Sequence, residues 1–91
     1  MEVKEVSEAL GVSENELVKR GVKAYLEMEL RRVKAETYSI LSKYEVGSFI
    51  ELDERISRGD LSETEMFEDF TRLDYLESMR EKIEGLLEGS T

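Results

Sequence analysis

The stretch GVSENELVKRGVKAYLEMELRRVKAETYSILSKY, residues 11–44, decides how this chain folds. It opens with Ser13-x-x-Glu16, a capping box: the serine side chain accepts the amide three residues on, and the glutamate can reach back to the cap amide. Val12 and Leu17 stand where a hydrophobic staple across such a start would put them. From there apolar or half-apolar residues recur as Val18, Val22, Leu26, Leu30, Val33, Thr37, Ile40 and Tyr44, in steps of three and four. That is a one-sided stripe on an α-helix. With no proline anywhere to interrupt it, the spacing predicts one helix over about 14–45, on the order of 48 Å long.

Working outward, the same signature returns twice. Ser48-x-x-Glu51 and Ser62-x-x-Glu65 are further capping boxes, the second with a Leu61/Met66 staple. Each of the three boxes follows a glycine (Gly11, Gly47, Gly59) that can end the preceding helix in the left-handed conformation. After the third box a second stripe runs Met66, Phe70, Leu73, Leu76, Met79, Ile83 and Leu86. The expected elements are therefore helices over about 2–10, 14–45, 49–58 and 63–88 in a single domain, 1–91. No long period-two alternation suggests a strand. The short third helix reverses the chain, so the two long helices should form an antiparallel hairpin. Two amphipathic helices and two short ones cover only part of the stripes. The expected architecture is thus all-α: a long helical hairpin with two short helices, two copies pairing as a homodimer into a helical bundle.

Composition narrows the function classes. The chain has no cysteine and no histidine, which removes disulfides, thiolate nucleophiles and the commonest general base and metal ligand. The six glycines are scattered, so there is no phosphate-cradling loop. No catalytic residue, cofactor or metal site is expected. The longest apolar run is three residues, Ala24–Leu26, too short for a signal core or a membrane span, so a cytoplasmic protein is expected. The net charge of −9 is unevenly spread: −2 over residues 1–12, +1 over 13–45 and −8 over 46–91. An acidic C-terminal half repels nucleic acid and anionic membrane and suits a basic protein partner.

Three sets of side chains could carry function. Glu77, Glu81, Glu84 and Glu88 share helical spacing, but the apolar stripe takes the buried side, so they should face water rather than a metal ion. Lys19, Arg20 and Lys23, with Arg31, Arg32 and Lys34, could track phosphates. Their glutamate neighbours (Glu16, Glu27, Glu29, Glu36) point instead to a salt-bridged helix surface. The third set is the turn between the long helices, where Phe49, Ile50, Phe67 and Phe70 mix with Asp60, Glu63 and Asp69. If the protein docks a partner, these seven residues are the expected surface; otherwise the aromatics close the bundle end.

The segment LGVSENELVKRGVKAYLE, residues 10–27, resembles the second helix of ribbon-helix-helix antitoxins, with its Gly-Val-Ser turn and the spacing of Leu17, Val18, Val22, Tyr25 and Leu26. Most of the chain also resembles small prokaryotic helical antitoxin-like proteins, through the long helix and the acidic segment RGDLSETEMFEDFTRLDYLE, residues 58–77. The resemblance implies binding of a toxin encoded nearby. Only ten residues precede Gly11, too few for both the DNA-reading strand and the first helix of that family, so toxin binding rather than operator binding is what it implies. An autonomous helical scaffold or adaptor is the alternative reading, and a nucleic-acid-binding regulator using the basic long helix is a further one.

Overall fold

The computed structural model describes residues 1–89. Four helices follow one another: α1 (Val3–Leu10), α2 (Glu14–Lys43), α3 (Phe49–Ser57) and α4 (Phe67–Gly89). There is no strand among the described residues. α2 and α4 form the hairpin, α3 closes its tip, and α1 folds back on the start of α2. None of the helices is long and apolar enough to cross a membrane.

The helix starts follow the capping boxes, with one displacement. Ser13 Oγ accepts from Glu16 N at 3.1 Å and Ser48 Oγ from Glu51 N at 3.2 Å. Glu51 turns back to the amide of Gly47, at 2.9 Å, one residue before the cap. Glu16 accepts from Arg20 Nε instead, at 2.9 Å. Ser62 also accepts from Glu65 N, at 3.4 Å, but residues 63–66 form a turn and α4 opens only at Phe67. The expected start at residue 63 is thus four residues early. Met66 is drawn into the core at this point, and Phe67 N bonds back to Thr64 O, an i→i+3 step that tightens the turn.

The helix ends carry a second correction. Gly11 and Gly59 adopt the left-handed conformation, as expected, with φ of 68° and 80°. Between α2 and α3 that conformation belongs to Glu45, φ 58°, and not to Gly47. Val46 N bonds to Leu41 O at 3.2 Å and Glu45 N to Ser42 O at 3.0 Å, the paired bonds of a Schellman motif. That motif places an apolar residue just past the left-handed one. Val46 and Leu41 are both buried in one cluster. Burying Val46 therefore sets where α2 ends, and a glutamate accepts a backbone that costs roughly 1 kcal/mol more than in glycine. The guanidinium of Arg55 in α3 donates to Tyr44 O at 2.7 Å, tying α3 to the negative end of α2.

The hairpin buries its facing stripes in two clusters. Towards the tip lie Leu41, Val46, Leu52, Met66 and Leu73, flanked by Tyr44, Phe49, Ile56, Leu61 and Phe70. Midway lie Val33, Leu76 and Ile83, flanked by Leu26, Leu30, Met79 and Leu87. Ile40 packs against both. Surface pairs bridge the hairpin: Lys43–Asp69 at 2.9 Å, Lys34–Glu84 at 3.9 Å, and Glu36 with Arg72, whose Nη2 reaches Oε1 at 2.9 Å. The α2 stripe is covered only from Leu26 onward. Val18 and Val22, on the same stripe, lie beyond the reach of α4 and are exposed. The molecule is accordingly a rod of 61 × 24 × 17 Å with a radius of gyration of 18.9 Å, against about 12 Å for a compact chain of this length.

Candidate functional site

The tip is assembled from the last turn of α2, α3, the 58–66 turn and the first turn of α4. It sorts the seven candidate residues into two groups. Phe49 and Phe70 are half-buried against the tip cluster and close the end of the core. Asp69 is tied down: it accepts from Lys43 Nζ at 2.9 Å and from the Tyr44 hydroxyl. Lys43 first, and then the Tyr44 hydroxyl, hold the Asp69 carboxyl below its ordinary range. In turn the hydrogen bond to Asp69 raises the Tyr44 hydroxyl and the Lys43 ammonium. Lys43 Nζ also lies 5.6 Å from the centre of the Tyr44 ring.

The other four face outward. Ile50 is 73% exposed and Phe67 69% exposed. Glu63 is exposed on the turn, and exposed Asp60 lies 3.5 Å from Arg58. Phe67 edges a shallow depression with Lys43, Tyr44, Thr64, Glu65, Glu68 and Asp69. Ile50 edges another with Asp53, Glu54, Ser57 and Arg58. The tip therefore presents two exposed apolar side chains, each beside carboxylates. Glu65 and Glu68, acidic neighbours of Phe67 in the sequence, lie beside it here as well.

On the flank of α4 the glutamates are partly engaged. Arg80 bridges Glu77, through Nε at 3.2 Å, and Glu84, through Nη1 at 3.0 Å, and its pKa is raised by Glu77 first and then Glu84. Among the described residues no three carboxylates converge as a metal ion would need. On α2 the salt-bridged surface holds for Arg20 with Glu16, and for Arg32 with Glu29 at 2.8 Å. That contact holds the Glu29 carboxyl down. Lys19, Lys23 and Arg31 make no ion pair among the described residues.

The N-terminal arm, α1 with the first turns of α2, forms a surface that the candidate residues did not include. Val3, Val6, Leu17, Val18, Val22 and Tyr25 line a shallow, strongly apolar groove there. Its signal was a stripe that starts at Val18, well before the partner helix could reach.

One family model matches the chain, over residues 1–89: that of the Uncharacterized protein MJ0235 family. No curated protein and no solved structure matches.

Proposed function

The chain belongs to the MJ0235 family, and we propose that it is a non-enzymatic binding module that takes a basic protein partner at the acidic tip of its hairpin. The observation that carries this is the tip itself: Ile50 and Phe67 stand exposed beside carboxylates, in a half of the chain with a net charge of −8. Exposed apolar anchors in a net acidic setting, where carboxylates outnumber Arg58 beside Ile50 and Lys43 beside Phe67, combine binding energy with selection of an oppositely charged partner. The resemblance of residues 10–27 and 58–77 to antitoxin-like proteins supplies a candidate partner, a small basic toxin encoded beside this gene.

The test is co-purification of the tagged chain with the product of its adjacent gene, compared with the variants Phe67→Ala and Glu65→Lys/Glu68→Lys. Both alter exposed positions, so the fold should survive them. A 1:1 complex that weakens at least tenfold in either variant, and weakens with added salt, supports the reading. No complex with that product, and no basic protein retained from source cells, would leave the scaffold reading in its place.

A further inference from the structure

The stripe of α2 outruns its cover. Leu26 and Leu30 pack against the mid-hairpin cluster together with Leu87, near the end of α4. One and two turns earlier, Val22 and Val18 have no such cover. α1 packs on this part of α2 but contributes no buried residue of its own. Between the two helices Val18, Val22 and Tyr25 remain 50%, 54% and 57% exposed.

Three further observations point to what covers the groove. The first is area. The chain exposes 6828 Å², about 1,400 Å² more than a folded monomer of its mass. That surplus belongs to the whole rod, and a two-copy interface that removed it from each chain would fall within the span of permanent homodimers, about 2,000–5,000 Å² in total. The second is Gly21, which lines the groove two turns into α2. A glycine there costs about 1 kcal/mol relative to alanine, yet apart from its own helix backbone and chain neighbours nothing lies within 4 Å of the place its Cβ would take. Its use is explained if a second helix approaches at that point. The third is charge. Residues 1–28 carry four basic and six acidic groups, against five and thirteen over 46–91. Copies meeting through their acidic halves would repel. Arms are nearly balanced, and Lys19 and Lys23, like Glu5, Glu8 and Glu14, make no ion pair within the chain among the described residues.

We propose that the arm is a self-association face, on which a second copy of this chain pairs its own arm about a two-fold axis, burying Val18, Val22 and Tyr25. A two-fold interface uses the same patch on both copies, so Lys19 and Lys23 of one arm can meet the free glutamates of the other. This changes the dimer expected from the sequence. The hairpin faces are already buried against each other, and pairing moves to the opposite end of the rod, leaving both acidic tips free.

The test is the mass of the purified chain, with no partner present, by sedimentation equilibrium, so its outcome is independent of what the tip binds. Wild type is expected at twice the 10.5 kDa chain mass. Val22→Glu is expected to weaken association by about a hundredfold or more, and Tyr25→Ala by about tenfold, both with helical circular dichroism retained. Ile50→Glu, at the tip, is expected to leave the dimer intact. A wild-type monomer at about 100 μM, a dimer unaffected by Val22→Glu and Tyr25→Ala, or a dimer lost in Ile50→Glu would each overturn the proposal.

Discussion

At the tip of the hairpin, Leu41, Val46, Leu52, Met66 and Leu73 come together from α2, α3, α4 and the turns between them, and all five are buried. In the arm, α1 and the first turns of α2 are equally amphipathic, yet not one residue there is buried. Both regions have apolar residues at helical spacing and a serine cap, Ser13 in the arm and Ser48 at the tip. What separates them is the length of helix that covers the stripe. Midway along the hairpin α2 and α4 alone bury Val33, Leu76 and Ile83. At the tip α3 adds Leu52 to the cluster. In the arm the cover is only the eight-residue α1, none of whose residues is buried.

The largest way to break this comparison is to empty the tip. Leu73 and Leu52 are each 1% exposed, so Leu73→Ala and Leu52→Ala should each cost about 3 kcal/mol, read as a lower midpoint in urea unfolding. Leu10→Ala, at an exposed position in the arm, should stay within about 0.5 kcal/mol. Similar costs at both places would mean that the arm is as well enclosed as the tip, contrary to the burial seen here.

A smaller effect sharpens the contrast between the left-handed residues that end α1 and α2, Gly11 and Glu45. Glu45→Gly should stabilise the protein by about 0.5–1 kcal/mol, because glycine adopts that backbone without strain. Gly11→Ala reverses the exchange and should loosen only α1, visible as faster amide exchange over residues 3–10 with little change at the tip.

The smallest effect is on acidity. Asp69 has its pKa lowered from the ordinary 3.8 by Lys43 and then Tyr44. A depressed carboxylate contributes stability that is complete above the unfolded value and is lost as the pH falls through the folded one. Acid titration should therefore break the Lys43–Asp69 bridge only as the pH falls below the ordinary carboxylate value towards the lowered one of Asp69, and Asp69→Asn should flatten that response.

Most of the architecture was legible in the chain because caps and helical period are local properties. Ser13 and Ser48 accept the amides that their sequence positions specify, and the α2 stripe from Leu26 and the α4 stripe from Phe70 to Ile83 run along the buried seam; at the end of α4 it is Leu87 that packs, and the expected Leu86 is exposed. The candidate site was legible only as a neighbourhood. Phe49 and Ile50 are adjacent in sequence, as are Asp69 and Phe70, yet Phe49 packs inward and Ile50 outward, while Asp69 holds a bridge beside Phe70 in the core. Spacing of one residue rotates a helix position by about 100°, so a cluster of aromatics in sequence is divided by the face each happens to present.

What the sequence by itself determined was the number of helices, their polarity and which side of each is apolar, because these follow from bonds and periods within a few residues. The tertiary structure decided where α2 stops, where α4 starts and how much of the α2 stripe is covered. Val46 is buried by Leu41 and its neighbours, Met66 is pulled into the same cluster, and α4 runs out near Leu26. Each of these turns on a contact between residues far apart in the chain, and a burial free energy larger than the local preference it overrides.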